Sequence, residues 1–166
     1  MLDRFDFNNC KPVSTPADIN SHLEPSTNDS ELVDQTNYMS AVGSLLYLST
    51  KTRPDIAYAV ENVPKYCSKP NNKHWNAVKR IFRYLKGTID LGISYCNNKY
   101  ELVGYSDADW AGDRNDRKST SGYRFLLHNT IISWRSVKQS CVALSTAEAE
   151  YVSLAGTSLP RSGIPK

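Results

Sequence analysis

The sequence is poor in the residues that build disulfide frameworks, metal clusters and membrane spans. Its four cysteines, Cys10, Cys67, Cys96 and Cys141, stand far apart with no C-x-x-C pair, and the three histidines, His22, His74 and His128, are equally scattered. That spacing excludes the usual zinc sites and favours a reducing compartment over a disulfide framework. Long apolar runs are missing as well: the longest, around Leu45 to Leu48, falls far short of the roughly 20 residues a membrane helix needs. The N-terminus, MLDRFDFNNC, carries charges where a secretory signal places apolar residues. An intracellular location, cytoplasmic or nuclear, with no membrane partner is therefore expected. Neither sign of charge dominates, since 20 Lys and Arg face 17 Asp and Glu, and a net charge of +3 permits a polyanionic partner without arguing for one. A length of 166 residues suits one domain, or a small domain with an irregular arm.

Residues 1–35 hold Pro12, Pro16 and Pro25 among Ser, Thr, Asn and Asp, with too few apolar residues to show a period. They read as an extended or disordered arm. From residue 36 to 87 the texture is helical. Tyr38, Val42, Leu45 and Leu46 recur at helical spacing before the breakers of Ser49–Thr52. A second helix opens at Arg53-Pro54-Asp55, shows Ile56, Val60 and Val63 on one face, and should kink or end at Pro64. In a third, Trp75, Val78, Phe82 and Leu85 form a stripe, and Gly87 is placed to cap the end. The opposite face of that third helix carries Lys73, Lys79, Arg80, Arg83 and Lys86 with no acid between them. Such a face is either ordinary solvated surface or a row of phosphate contacts to nucleic acid.

After Gly87 the period becomes two. Leu91, Ile93 and Tyr95 alternate, Asn97-Asn98 marks a turn, and in the next run Val103, Tyr105 and Asp107 oppose Leu102, Gly104 and Ser106. Further strands are expected at 122–127 and 130–134, joined by the turn His128-Asn129. Ser145 or Thr146 then caps a helix with Glu148 and Glu150 in its first turn. Helices, then an antiparallel meander of about three to four strands, then a helix, predict an α+β arrangement.

Two acidic groups are candidates for chemistry. Asp107 and Asp109 end an apolar strand and Asp113 follows Gly112, a set that either forms turns or shares a hard cation such as Mg²⁺ or Mn²⁺. Glu148 and Glu150 either complement the helix dipole or contribute one ligand, because residues two apart on a helix point about 200° apart.

Residues 104–155, GYSDADWAGDRNDRKSTSGYRFLLHNTIISWRSVKQSCVALSTAEAEYVSLA, closely resemble the ribonuclease H domain of copia-type retrotransposon Pol proteins. Upstream, YMSAVGSLLYLSTKTRPDIAYAV and HWNAVKRIFRYLKGT resemble the connection those polyproteins carry between polymerase and ribonuclease H, and RFDFNNCKPVSTP resembles the end of their reverse transcriptase. The resemblance covers roughly residues 4–158. It implies a ribonuclease H-like fold that cleaves the RNA strand of an RNA–DNA hybrid with two metal ions, Mg²⁺ or Mn²⁺. Its first catalytic aspartate falls on Asp107 in SDAD, and its glutamate, in an A-E-Y pattern, falls on Glu150.

The departures from the family shape the remaining expectations. A strand bearing a third aspartate in a motif like C-D-N-Q and a later fourth ligand are not found, since residues 159–166 read LPRSGIPK, and Pro64 interrupts a helix the family keeps unbroken. The expected organisation is thus the arm at 1–35, a three-helix connection at 36–87, a truncated ribonuclease H-like domain at 88–158 and a divergent tail at 159–166. An inactive fragment with weak metal binding is the first functional expectation, its unpaired apolar strand edge open to self-association. The alternatives are a nucleic-acid-binding remnant using Lys79, Arg80, Arg83, Lys86, Arg114, Arg117 and Lys118, or a co-opted product such as a pathogen's secreted effector, for which only the degenerate Arg83-Tyr84-Leu85-Lys86 is present.

Overall fold

The computed structural model describes residues 1–18, 22–28, 30–95 and 101–157. They divide into two compact units on either side of the Ser94–Tyr95 bond. The Asn97-Asn98 turn and the tail from 159 onward lie outside the described residues.

The first unit is helical. Helix α1 spans Gln35–Lys51, and the Asp34 side chain accepts from the Thr36 and Asn37 amides to start it. Tyr38, Ala41, Val42 and Leu45 form its buried stripe. The Ser49–Thr50–Lys51 segment stays helical, so the expected breakers only mark its last turn. Helix α2, Ala57–Asn62, follows a short 3₁₀ turn at Pro54–Ile56 and is succeeded by another at Pro64–Tyr66. Pro64 ends the α-helical ladder because its nitrogen has no proton to donate. Helix α3, Asn72–Gly87, buries Val78, Ile81, Phe82, Tyr84 and Leu85 against the other two helices. Each large side chain so enclosed contributes about 1.5–3 kcal/mol of hydrophobic stabilisation.

Polar side chains at the ends of these helices complete the unit. Arg53, 8% exposed, donates to Asp55 at 2.7 Å and to the carbonyl and hydroxyl oxygens of Thr88 at 3.1 and 2.6 Å. One guanidinium thus fastens the start of α2 to the end of α3, and the Asp55 partner raises its pKa. The role expected of Gly87 needs correction. It is the last helical residue and does not adopt the left-handed conformation; a Cβ there would lie 2.9 Å from Pro12 Cβ. Glycine at this place lets the N-terminal arm cross the helix end.

That arm opens with a 3₁₀ turn at Asp3–Phe5 and packs on the helices. Phe7 stacks on Phe82 at 4.7 Å, Phe5 lies 5.1 Å from the same ring, and Val13, Ala17 and Leu23 border the core. Arg83 Nε donates to Lys11 O at 2.7 Å and Tyr66 Oη to Leu23 O at 2.8 Å, while in the other direction the arm's Ser26 Oγ donates to Lys69 O at 2.7 Å. Few apolar residues suffice because side chains of α3 and the turn before it satisfy the arm's main chain.

The described residues of the second unit form a three-stranded antiparallel sheet with one helix. The strands are β1 Leu102–Ala108, β2 Thr120–Leu127 and β3 Thr130–Lys138, in the order β1-β2-β3. His128 and Asn129 both have positive φ, 53° and 60°, the geometry of the mirror-image turn that matches strand twist. Asp107 pairs with Gly122 and Ala108 with Ser121. The alternation at Leu91, Ile93 and Tyr95 does not produce a strand: residues 91–95 have no regular structure, and Leu91 and Tyr95 are exposed. Without a neighbouring strand to accept its hydrogen bonds, an alternating run gains nothing from extension. Helix α4, Thr146–Gly156, starts at Ser145, whose side chain accepts from the Glu148 amide.

Candidate functional site

The end of β1 and the start of α4 meet because the side chains of Trp110, Gln139 and Ser153 bind this part of the unit together. Trp110 Nε1 donates to Ala143 O at 3.2 Å, tying the loop after β1 to the one before α4. Gln139 Nε2 donates to Ala149 O at 2.9 Å and Ser121 Oγ at 2.8 Å. Ser153 Oγ donates to the main-chain carbonyl of Asp107 itself at 2.8 Å. Ala149 and Ser153 are fully buried on the inner side of the helix.

Within this frame the acids take different parts. Asp107 lies one residue before the end of β1 with its carboxylate exposed, on the same strand face as Val103 and Tyr105. Glu150 is also exposed, one residue after the buried Ala149 and so at the flank of the inner side of α4. Glu148 is engaged locally, its carboxylate accepting from the Leu144 amide at 2.8 Å. Asp109 turns the chain: its amide donates to Thr120 O at 3.1 Å and its carboxylate accepts from the Thr120 amide. Asp113 accepts from the Asn115 amide at 2.9 Å and from Lys138 Nζ at 2.5 Å, and Asp116 takes the same ammonium at 2.8 Å. Of the acids near the strand end, Asp107 and Glu150 are thus the two with no hydrogen bond or ion pair to their carboxylates among the described residues. Among those residues no three His, Cys, Asp or Glu side chains gather into a metal-binding group.

The cationic residues divide the same way. On α3, Arg80 donates to Thr15 O at 3.2 Å and Thr15 Oγ1 at 2.8 Å, with Asp18 at 3.9 Å, while Arg83 holds Lys11 O. On the basic face of α3, which the sequence left open between solvated surface and phosphate contacts, these two guanidiniums grip the arm. Lys79 is exposed beside the Trp75 ring, 6.0 Å from its centroid, and Lys86 is half-buried. In the second unit Arg114 and Arg117 are exposed and Lys118 is half-buried, in a loop whose acids neutralise Lys138. Sequence reading gave no notice of Arg124, which lies 4.7 Å over the Tyr105 ring, across the β1–β2 pair.

Comparison with known proteins identifies relatives of the chain. The chain is 45% identical over 164 residues to a retrovirus-related Pol polyprotein from transposon TNT 1-94 of Nicotiana tabacum, and 46% identical over 159 residues to one from transposon RE2 of Arabidopsis thaliana. Each match takes in 95% of the chain. The chain belongs to the copia-type retrotransposon Pol family. It spans only 12% and 11% of the length of those two relatives. This Pol segment is also 51% identical over 118 residues, 70% of its length, to a protein of Plasmopara viticola named secreted RxLR effector protein 161, of which it covers 83%. No family model and no solved structure matches the segment. Among its described residues no helix is long and apolar enough to cross a membrane.

Proposed function

We propose that the second unit is the opening portion of a ribonuclease H-like domain, and that Asp107 and Glu150 are its first two acids, acting on RNA–DNA hybrid within a longer Pol polyprotein. The observation that carries this reading is the Ser153–Asp107 contact, which joins the helix bearing Glu150 to the strand bearing Asp107. Carboxylate oxygens of this kind suit Mg²⁺ or Mn²⁺, and both side chains are exposed. The two would hold such an ion jointly. A bound divalent ion would supply charge stabilisation to a phosphoryl oxygen and a more acidic water.

The chain's own residues supply orientation. Glu148 fixes the start of α4, Asp109 fixes the turn leaving β1, and Lys138 holds the basic loop by pairing with Asp113 and Asp116. Lys79, Lys86, Arg114, Arg117 and Lys118 are the cations left to meet phosphates, through contacts that weaken as salt rises.

Two carboxylates cannot offset the four positive charges of a metal pair or set its geometry, so the isolated segment lacks ribonuclease H activity. The test is cleavage of a labelled RNA–DNA hybrid by the purified chain in Mg²⁺ or Mn²⁺, beside an Asp107→Asn control. Metal-dependent cleavage that D107N abolishes would refute inactivity and imply a site completed by a second chain. Paramagnetic broadening of Asp107 and Glu150 resonances by Mn²⁺ is expected; broadening elsewhere only would refute the site assignment.

A second reading follows from the Plasmopara relative, whose name describes a secreted effector. In this segment the Arg83-Tyr84-Leu85-Lys86 run lies inside α3 with Tyr84 and Leu85 buried, so it does not present an open linear motif. A secretion assay on the expressed chain separates this reading from the first.

A further inference from the structure

Gln139 occupies a position where an apolar side chain would be more comfortable. It is 6% exposed, and its Oε1 is buried with no hydrogen-bond partner among the described residues. Leaving such an oxygen unpaired carries a penalty of about 1–3 kcal/mol. Its amide orientation is fixed, because Ala149 O can only accept and must therefore face the NH₂ group. That one nitrogen bridges the helix at Ala149, next to Glu150, and the sheet at Ser121, which pairs with Ala108 next to Asp107. The main chain of Gln139 is itself anchored, its amide donating to Ser119 O at 2.8 Å. Ser153, 1% exposed, makes the second tie one turn further along α4.

We infer that Gln139 and Ser153 form a two-point clamp that sets the first turn of α4 against the end of β1, making them positioning residues for the Asp107–Glu150 pair. The inference rests on the acid-pair reading above. Two hydrogen bonds at successive turns fix both the axial register and the rotation of a helix, which a packed apolar face such as Ala149 alone leaves free to slide. A polar residue kept at the expense of an unsatisfied atom is the kind of local rule-breaking expected where geometry matters more than stability.

The test reads the seating of α4 rather than turnover. Amide hydrogen exchange and Mn²⁺ broadening are compared in the wild-type chain and in the Gln139→Met, Ser153→Ala double variant. Loss of the bonds to Ala149 O, Ser121 Oγ and Asp107 O should speed exchange along α4 while the β1–β3 amides keep their wild-type protection, a split that general destabilisation would not produce. Mn²⁺ should broaden the Asp107 and Glu150 resonances together in the wild type and lose that joint broadening in the variant. Should the double variant lose the dispersed spectrum of a folded chain, Q139M alone carries the comparison. Wild-type α4 exchange and joint broadening in the clamp variants overturn the inference. Faster α4 exchange in the variants, with no Mn²⁺ broadening of either acid in the wild type, would uphold the clamp and overturn the metal site.

Discussion

His74 holds the arm of the first unit, and replacing it with phenylalanine tests how. The imidazole is fully buried and stacked on Tyr66, with ring centroids 3.9 Å apart and planes 9° from parallel. Nδ1 accepts from the Asn71 amide at 3.1 Å, which closes a capping box in which histidine takes the place usual for Glu or Gln. The acceptor role of Nδ1 puts the proton on Nε2, which donates to Glu24 O at 2.8 Å and fastens the arm. His74→Phe keeps the stacked ring and removes both bonds. The Asn71 amide is then left in a residue only 8% exposed, at about 1–3 kcal/mol, whereas exposed Glu24 regains water and loses little. The expected loss is about 2 kcal/mol at pH 7.5, read from the urea midpoint.

The same pair of proteins carries a pH signature. Burial lowers the His74 pKa, opposed by the Glu24 bond and assisted by the Lys73 charge. A histidine depressed in the folded state binds fewer protons folded than unfolded, so its contribution is complete above the unfolded value of about 6.5 and declines as pH falls below it. The gap between wild type and H74F should therefore narrow from pH 7.5 to pH 5, with His22 and His128 cancelling between the two proteins. An H74F chain within about 0.5 kcal/mol of wild type at pH 7.5 would refute the hydrogen-bond argument. A gap independent of pH would refute the neutral-tautomer assignment.

Other substitutions test the remaining contacts. Phe82→Ala should cost about 3–5 kcal/mol and expose Lys11 to trypsin, because Phe5 and Phe7 lose the ring they pack on; unchanged digestion would show the arm is held elsewhere. Arg83→Ala should speed the same cleavage while lowering global stability by about 1 kcal/mol, measured by urea unfolding. Asp116 is held below the usual carboxylate range by Lys138, so its stabilisation is present at neutral pH and disappears as pH falls through that lowered value. Lys138→Met should therefore flatten the acid limb of the stability profile, and an unaltered limb would exclude the ion pair. For nucleic-acid binding, Lys79→Ala with Lys86→Ala should reduce the salt slope on a hybrid duplex more than Arg80→Ala with Arg83→Ala, as filter binding at several salt concentrations would show.

Features carried by local chemistry were legible in the sequence. The stripes Tyr38–Val42–Leu45 and Val78–Phe82–Leu85 are buried, Ser145 caps α4, and His128-Asn129 makes the turn between β2 and β3. What escaped has long-range partners. Residues Ser136 to Lys138 and Thr120 to Ser121 extend the β2–β3 ladder, yet with Val137 as their one apolar side chain they give no alternation. The arm attaches through its carbonyl oxygens, which every residue type carries, to side chains as far as 72 positions away. Gly87 read as a helix stop because glycine is common there, whereas its neighbour in space is Pro12.

The same distinction explains what the acids could reveal. Asp107, Asp109, Asp113, Glu148 and Glu150 are chemically interchangeable in a sequence, and each invites either a structural or a ligand role. Three of them are occupied: Asp109 by the Thr120 amide, Asp113 by Lys138 and Glu148 by the Leu144 amide. A carboxylate accepting from a backbone amide or an ammonium is held in place and partly neutralised, so it is a poor candidate to seize a metal ion. The remaining two, on different elements, are joined not by their own side chains but by Ser153, whose partner is a carbonyl rather than a carboxylate. The proposal of Asp107 and Glu150 as a pair thus comes from the motifs shared with copia-type Pol proteins, and among the described residues neither carboxylate has a hydrogen-bond or ion-pair partner to compete with a cation. Mn²⁺ broadening of these two resonances is accordingly the observation to make first.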